Sequence, residues 1–446
     1  MTTFIDRPRW SCALGGALFT LRALRRAVPI IHASPGCGYN VYMAGNAGAG
    51  YLGGGYCGGT AWSSSNVGET EIVFGGVERL KEQIKTTLEV VDGDLYVVLS
   101  GCMVELIGDD LEAAVADLAG EFKGPKILAV STPGFADRRG YDLVMSELFR
   151  SFCLKGLEKK AEVINFLGLV PGQDVFYKGN LAELKRMAAT IGLKANTFFG
   201  DFEDLGVLER ASEASLNVVL SDYHGQLAAQ TFSEVHGTPY LTLPLPVGAI
   251  QSREFLKNLG QAVGLSREVP KRAADLEEDR YYDYLERAAD IVNDVDLQRY
   301  LIVVADSLYA PAATRFFADE LGWIPVLTVV TDDLDDQTRK TVSGRFEGFE
   351  SQLKPLVKFE SSAIKTRAHL NQAWPRVGSQ RHQDPLSPAV VVGSVFEREL
   401  AEGFSYPLLS LSYPVTDQVI FQQARAGYEG GLSLASAALS LVVAGR

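Results

Sequence analysis

Short apolar runs alternate with stretches of helical periodicity along most of the chain. The runs are rich in Val, Ile and Leu, as buried parallel strands are. The stretches between them carry charged residues on one face, as at residues 77–90, 140–152 and 181–191, and this spacing predicts amphipathic helices. Such alternation is typical of βαβ units. We predict strands at residues 28–32, 95–100, 127–131, 162–166, 217–220, 240–243, 300–305, 326–330, 389–392 and 407–411.

The same α/β unit recurs in each third of the chain, and 446 residues are too many for one hydrophobic core. We therefore predict an α/β protein with three Rossmann-like parallel-sheet domains. The domains are expected at residues 1–158, 159–295 and 296–446, and the third is expected to end in a helix. The charged segment 271–294 is expected to connect the second and third domains, and the polar segment 371–388 is expected to be a loop.

Composition and charge narrow the functional classes. The net charge is -13, which argues against a nucleic-acid partner because phosphate binding requires clustered Lys and Arg. The start of the chain has no apolar core like that of a signal peptide, and no apolar run reaches the roughly 20 residues that span a bilayer. We expect a cytoplasmic protein without a membrane partner.

The cysteines are the first candidates for chemistry. An odd number in a chain without a secretion signal argues against a disulfide framework. A cysteine just after a strand is well placed for function, because open parallel sheets bind ligands beyond the carboxyl ends of their strands. All five cysteines lie in the first third of the chain: Cys12, Cys37, Cys57, Cys102 and Cys153.

Three of these cysteines have the position that a ligand would need. Cys102 follows the strand at 95–100 directly, and Cys37 follows the strand at 28–32 in a predicted tight loop of Pro35 and two glycines. Cys12 lies near the start of the chain, which can fold over a cluster. The spacing contains no CxxC and fits neither a compact ferredoxin motif nor a zinc motif. Convergence on one metal–sulfur cluster and three unrelated core cysteines therefore both stay open.

Seven motifs together resemble those of the nitrogenase component 1 superfamily, and they cover essentially the whole chain. The resemblance implies the fold of that family, in which three similar α/β domains form each subunit. The motifs are Cys12-Ala-Leu-Gly-Gly-Ala, Ile31-His-Ala-Ser-Pro-Gly-Cys37, Glu71-Ile-Val-Phe-Gly-Gly76, Gly101-Cys-Met-Val-Glu-Leu-Ile-Gly-Asp-Asp110, Leu243-Pro-Leu-Pro-Val-Gly248, Val392-Gly-Ser394 and Gly427-Tyr-Glu-Gly430.

The resemblance also implies a cofactor and partners. In that family three cysteines of each subunit hold half of a P-type iron–sulfur cluster at the interface between homologous α and β subunits. By position, Cys12, Cys37 and Cys102 match those ligands. The expected assembly is an α2β2 heterotetramer, and the expected electron donor is a separate, ATP-dependent iron protein. No nucleotide site is expected in this chain, because Gly75 and Gly76 do not belong to a phosphate-loop pattern.

Two positions indicate which subunit the chain resembles. Catalytic α subunits of the family hold the active-site cofactor through one cysteine and one histidine. The matching positions here are Ser221 and Ala426, and neither side chain replaces such a ligand. His224 is displaced in register and is expected to be a core or surface residue. The resemblance therefore implies a β-type subunit of an oxidoreductase, with no catalytic residue of its own and with the catalytic cofactor in its partner.

Two features depart from nitrogenase β subunits. Gly134 stands where those subunits often have a serine that ligates the oxidised cluster, and the glycine-rich stretch 45–59 with Cys57 is not typical of them. These departures fit a nitrogenase-like enzyme that cleaves the carbon–sulfur bond of a small thioether, such as a methylthio-alkane reductase, about as well as a divergent enzyme that reduces dinitrogen. The alternative is a non-catalytic scaffold for cofactor assembly, but retention of all three cysteines favours the enzyme.

The remaining candidates each have a structural and a functional interpretation. Cys57 is either an additional ligand or part of a flexible glycine loop, and Cys153 is expected in the core. His32 either contacts a cluster as hydrogen-bond or proton donor or is a structural histidine with both nitrogens paired. Glu105 either caps a helix or seats the loop of Cys102.

Overall fold

The computed structural model describes residues 7, 9, 11–51, 62–119, 124–134, 139–294, 297–375 and 386–444. In these parts of the chain, the strands form three separate parallel sheets with helices packed against them. This confirms the predicted α/β class and its three sheets. Every predicted strand is present within its sheet, and three further strands lie at sheet edges. The proposed domain boundaries stay a prediction.

The first sheet carries the candidate cysteines. Its central strands are mostly apolar, and the run at Leu95–Ser100 is buried at every position, because helices cover both faces of a parallel sheet. The strands are β1 Ala27–His32, β2 Ser63–Ser64, β3 Leu95–Ser100 and β4 Lys126–Val130, in the order β2-β1-β3-β4. The helices are α1 Ala13–Ala23, α2 Pro35–Gly48, α3 Glu69–Phe74, α4 Val77–Val90, α5 Cys102–Ile107, α6 Leu111–Ala119 and α7 Gly140–Glu147, which continues into a π-helical turn at Leu148–Phe152.

The second sheet is built in the same way from the middle of the chain. Its strands are β5 Lys160–Leu167, β6 Lys194–Asn196, β7 Ala214–Val219 and β8 Tyr240–Thr242, in the order β6-β5-β7-β8. Its helices are α8 Tyr177–Thr190, α9 Leu205–Glu209, α10 Gln226–His236 and α11 Gly248–Ala262. The charged connecting segment forms α12 Glu268–Glu286 and α13 Ala289–Asp294, as its composition predicts.

The third sheet has one strand more. Its strands are β9 Tyr300–Ala305, β10 Ile324–Val330, β11 Leu356–Phe359, β12 Ala389–Gly393 and β13 Leu408–Ser410, in the order β11-β10-β9-β12-β13. Its helices are α14 Tyr309–Asp319, α15 Asp336–Gly344, α16 Ala363–Ala373, α17 Arg398–Phe404 and α18 Gly427–Ala444. Most of the predicted loop at 371–388 lies outside the described residues.

The C-terminal helix α18 packs back onto the second sheet's helices. It contacts α11, α12 and α8, and Leu434, Ala438 and Val442 are buried on its inner face. By length and composition α18 is long and apolar enough to cross a membrane, but helices that pack in protein cores pass the same test. Its contacts agree with the predicted packed terminal helix.

Candidate metal centre

Cys37 and Cys102 follow the two central strands of the first sheet. β1 and β3 are parallel neighbours, with His32 opposite Ser100, so their carboxyl ends lie side by side. From β1 the chain passes to β2 on one side and then to β3 on the other. This arrangement is the switch point at which open parallel sheets bind ligands. Both cysteine segments therefore lie at the crevice of the first sheet.

The two segments touch through their backbones. The amide of Gly101 donates to the carbonyl oxygen of His32 at 2.9 Å. A Cβ added at Gly101 would lie 2.6 Å from the Cβ of Ala33, so only glycine allows this approach. The close contact keeps the starts of α2 and α5 next to each other.

The local structure around Cys37 differs from the prediction. The sequence predicts a tight loop, but Pro35 is the first residue of α2 and Cys37 lies in the first turn of that helix. Proline suits this position because the first helical amides have no intrahelical acceptor. Glycines predict a turn here, but the chain through Gly36 and Gly38 is helical.

Cys12 lies at the same edge of the sheet, but it belongs to the segment that precedes β1 and its helix α1. It is the N-cap residue of α1, and α1 leads into β1 through a short turn, so the start of α1 lies near the end of β1. α1 packs against α7 so tightly that a Cβ at Gly140 would lie 1.9 Å from the carbonyl oxygen of Ala13. This contact fixes the helix on which Cys12 depends.

All three thiols are half-buried at the start of a helix. Burial raises the pKa of the Cys12 thiol, the amides of Gly15 and Leu14 lower it, and the charges of Cys102 and Cys37 raise it further. Neither of these amides forms a regular N-cap hydrogen bond with the sulfur of Cys12. The sulfur of Cys12 therefore lies within electrostatic range of the other two, and a bound cation would relieve the repulsion between its thiolate and theirs.

The three thiols are not arranged as ligands of one ion. In the parts of the chain that the structure describes, no three His, Cys, Asp or Glu side chains form a group that could hold a single metal ion. A structural zinc site needs four ligands about 2.0–2.3 Å from the metal, whereas in a four-iron cluster each cysteine binds a different iron. The donor set fits part of an iron–sulfur cluster. The assignment of Cys12, Cys37 and Cys102 as its ligands stays a prediction.

Glu105 braces the segment of Cys102. The hydroxyl of Ser100, the last residue of β3, donates to the Glu105 carboxylate and accepts the amide of Thr132 at 2.8 Å. Ser100 and Thr132 are buried, so the bonds are protected from water. Of the two interpretations of Glu105, the structure favours the one in which it seats the Cys102 loop.

His32 is a structural histidine in this arrangement. It is fully buried, with Nδ1 2.8 Å from the hydroxyl of Ser65 and Nε2 2.9 Å from Oδ2 of Asp109. Asp109 also accepts the amide of Gly76 at 3.0 Å. Burial lowers the pKa of His32, and Asp109 opposes this shift. Both ring nitrogens are engaged by protein groups, so His32 holds β1, β2 and the start of α4 together.

Of the other two cysteines, Cys153 lies in the core and does not belong to this group, and Cys57 lies outside the described residues. Cys153 is buried, its thiol donates to the carbonyl oxygen of Leu208 at 2.8 Å, and burial raises its pKa to about 12. Such a thiol is unreactive, and its predicted place in the core is confirmed.

One family model matches nearly the whole chain. Residues 12–442 match the model of the nitrogenase component 1 type oxidoreductase. The chain belongs to this family. The family that the motifs predict is thereby confirmed, as is the prediction of an oxidoreductase.

Relatives of this chain include the β chains of molybdenum-iron, iron-iron and vanadium-iron nitrogenase proteins. The molybdenum-iron protein β chain of Sinorhizobium fredii is 24% identical and matches over 98% of this chain and 84% of its own length. The iron-iron protein β chain of Rhodobacter capsulatus is 23% identical, over 96% of this chain and 92% of its own length. A solved structure of nitrogenase Cp1 at pH 6.5 is 18% identical and covers 100% of this chain and 94% of its own, with a TM-score of 0.79. These similarities confirm the β-type resemblance and the fold.

In this member of the nitrogenase component 1 family, the two positions that the resemblance matches to α-subunit cofactor ligands are occupied by buried residues. Ser221 is buried at the end of β7, and its hydroxyl accepts the amides of Tyr223 and His224 at 3.1 Å. Ala426 is fully buried, and its amide donates to Asn180 at 2.8 Å. Ser221 therefore stabilises a local turn, Ala426 is part of a long-range contact with α8, and His224 is a buried residue.

Large apolar side chains are exposed on three helices of the first sheet in this family member. Two of these helices begin at or near Cys37 and Cys102, the third is α3, and all seven side chains are more than one-third exposed. We call this surface the apolar rim: Tyr39 and Met43 on α2, Ile72, Val73 and Phe74 on α3, and Met103 and Leu106 on α5. Exposed apolar patches of this kind mark protein interfaces.

The sequence does not reveal two of the groups that hold this site. Ser65 contacts His32 across 33 residues of sequence, and Thr132 contacts Ser100 across 32. Both contacts arise only because parallel strands bring their carboxyl ends to one edge. The signal that was available is the position of each polar residue just after an apolar strand.

Proposed function

We propose that this chain is the β-type subunit of a nitrogenase-like reductase and holds half of a P-type iron–sulfur cluster through Cys12, Cys37 and Cys102. The observation that carries the proposal is the arrangement of three half-buried thiols at helix starts on one edge of the first sheet. The family match and the β-chain relatives support it. The cluster would supply one-electron transfer when bound.

The chain's own residues have definable roles around such a group. Cys12, Cys37 and Cys102 would donate thiolates from three different helix starts, where peptide dipoles favour negative charge. The backbone contact at Gly101 keeps two of these starts adjacent, and Glu105 braces one of them.

The exposure of the thiols supports a shared site. A structural metal site within one chain is closed by its own ligands and buried, whereas these three cysteines remain half-exposed within the apolar rim. We propose that a homologous α subunit covers this surface and supplies the other half of the ligands. The proposed assembly is an α2β2 heterotetramer in the cytoplasm.

Electron supply and substrate reduction are proposed to take place at the borders of this chain. An ATP-dependent iron protein would dock near the α–β interface, and the protruding Phe74, 84% exposed, is the side chain we assign to that contact. The substrate would be reduced at a cofactor in the α subunit, because Ser221 and Ala426 offer no ligand here. Relatives of the molybdenum-iron, iron-iron and vanadium-iron types have nearly equal identity to this chain, so identity favours no one metal.

The test replaces each of the three cysteines with alanine in the purified α–β complex, with Cys153→Ala as the matched control. We expect each of Cys12→Ala, Cys37→Ala and Cys102→Ala to lower the iron content and abolish electron transfer, and the control to retain both. Unchanged iron content in the three variants would overturn the proposal. An α–β complex that carries a transferable cofactor precursor and turns over no substrate would point to an assembly scaffold instead.

A second assay separates the two candidate substrates. The complex is reconstituted with its iron protein and ATP and supplied with dinitrogen or with a small thioether. Ammonia formation identifies the first, and release of a thiol with the corresponding hydrocarbon identifies the second. The α subunit determines this outcome, and the roles assigned to the three cysteines are the same in both cases.

A further inference from the structure

The segment before Cys12 is fastened to the third sheet by a buried ion pair. The guanidinium of Arg9 donates through Nη1 to Oε2 of Glu397 at 2.8 Å and through Nη2 to the second carboxylate oxygen. Nη1 also donates to the hydroxyl of Ser394 at 2.9 Å, and the guanidinium lies over the ring of Phe396 at 5.7 Å. The side chains of Arg9 and Glu397 are 3% and 1% exposed. These contacts join positions 388 residues apart in sequence.

The acceptor side of this pair is held by its own local structure. Ser394 follows β12 directly, and its amide donates to Oε2 of Glu397 at 2.9 Å. The Ser394 hydroxyl accepts the amide of Phe396 in the same cap. Glu397 is therefore also held by the cap of its own segment, and the pair is a bidentate contact between this carboxylate and Arg9, three residues before Cys12.

A second cysteine helix is also joined to the third part of the chain. At the end of α2, the amide of Gly50 donates to the carbonyl oxygen of Val415 at 2.8 Å, and the amide of Val415 donates to Gly48 at 2.7 Å. The hydroxyl of Tyr413 donates to the carbonyl oxygen of Ala44 at 3.1 Å. In contrast, Cys102 is supported by Ser100, Glu105 and Thr132 of the first sheet.

We propose that Arg9 is a positioning residue for the metal centre: through its buried pair with Glu397, the third sheet determines where Cys12 lies relative to Cys37 and Cys102. The proposal rests on the proposed function, because it concerns a ligand of the same cluster. Cys12 comes three residues after Arg9, so displacement of the anchored segment would move its thiol. Groups that orient ligands in this way change metal affinity by about 10- to 100-fold when they are removed.

The physical consequence of breaking the pair is specific. Removing either charge leaves the other one buried without its counter-charge, whereas removing both leaves the site neutral. Arg9→Gln and Glu397→Gln should therefore release the segment, and the double variant should regain part of the order. An exposed pair close by provides the matched control, because Arg7 lies 3.6 Å from Glu399 with both side chains largely in solvent.

The experiment uses the purified α–β complex carrying Arg9→Gln, Glu397→Gln, the double variant, Arg9→Lys or Arg7→Gln. The first readout is the rate of iron loss to a chelator, together with the electron paramagnetic resonance signature of the cluster. The second is the rate at which Cys12 is alkylated in the metal-depleted complex, measured by mass spectrometry. Arg345→Gln, which breaks the pair with Asp222 at 2.8 Å between the second and third sheets, controls for general destabilisation.

We expect Arg9→Gln to lose iron about tenfold faster or more, to change the resonance signature and to expose Cys12 to alkylation. Arg9→Lys should restore part of each property, and Arg7→Gln and Arg345→Gln should leave all three as in the wild type. An Arg9→Gln complex with wild-type signature, iron retention and alkylation would overturn the proposal while Cys12→Ala still loses iron. If Cys12→Ala also retains its iron, the proposed function itself is wrong.

Discussion

Tyr281 donates a hydrogen bond of 2.7 Å to Oε2 of Glu320, and this pair joins α12 to the end of α14. The other carboxylate oxygen accepts the amide of Ile250, at the start of α11, at 3.2 Å. Burial raises the pKa of Glu320 to about 7, above its ordinary value of 4.5. Three helices therefore meet on a carboxyl group that the folded chain prefers to keep protonated.

This pair predicts a pH dependence of stability. Between pH 4.5 and about 7 the folded state holds a proton that the unfolded state has lost, so stability falls as the pH rises through this interval. Glu320→Gln cannot ionise, and we expect it to raise the free energy of unfolding by up to about 3 kcal/mol at pH 8 and by little at pH 4.5. Calorimetry at both pH values measures the difference. Glu254→Gln, at a half-exposed partner of Arg315, should stay near wild type, and an unchanged pH slope in Glu320→Gln would contradict the prediction.

Two adjacent aspartates of the first sheet should differ in their effect on stability. Asp109→Ala leaves the buried Nε2 of His32 and the amide of Gly76 without their acceptor, which we expect to cost about 3 kcal/mol. Asp110→Ala removes only a hydrogen bond to the amide of Ala113, 2.9 Å long at the start of α6, for about 1 kcal/mol. Denaturant unfolding of the two variants measures both losses. Equal losses would show that the His32–Asp109 pair is not a principal contact of this sheet.

The sequence predicts the interior of this fold better than its edges. The buried strands at Leu95–Ser100 and Tyr300–Ala305 are recognisable because both faces are covered and nearly every position is apolar. The missed strands β2, β6 and β11 lie at sheet edges and are short and partly polar, so they resemble turns. Helix α2 was missed because its glycines weaken the helical signal, although packing holds it in place.

The candidate site, like the fold, can be predicted from the sequence only in part. Cys37 and Cys102 could be selected from their places after strands, and all three cysteines from the family motifs, but their proximity depends on tertiary packing. The pairing of Arg9 with Glu397 has no sequence signal, because the two residues are 388 positions apart and each looks like an ordinary charged surface residue. The sequence pattern of one chain predicts at which edge of a sheet the functional residues lie. It does not predict the residues distant in sequence that hold them in position.

Phe74 provides a test of the proposed electron-donor contact. It is the most exposed aromatic residue of the apolar rim, 84% in solvent, and it is not close in sequence to any of the three cysteines. Phe74→Ala should leave the iron content unchanged and raise the concentration of iron protein needed for half-maximal turnover about tenfold or more, as loss of an aromatic interface residue does. Steady-state titration with the iron protein measures this value.

The control for that titration is Phe202→Ala, at an equally protruding aromatic, 93% exposed, on the second sheet's side of the chain. We expect it to match the wild type. A Phe74→Ala complex with unchanged half-saturation would place the donor elsewhere on the surface. Loss of iron in this variant would instead indicate that Phe74 supports the cluster.

The backbone conformation at Gly134 determines whether this position tolerates the serine that is common there in nitrogenase β subunits. Its φ is +101°, a backbone conformation that side-chain-bearing residues rarely adopt. Gly134→Ser should therefore destabilise the protein by about 1–2 kcal/mol, and Gly134→Ala should do the same, since the cost lies in the backbone. We expect the strained segment to leave the resonance signature of the oxidised cluster unchanged in both variants. A signature that shifts in Gly134→Ser and not in Gly134→Ala would contradict this expectation, because only the hydroxyl distinguishes the two, and it would show that position 134 reaches the cluster.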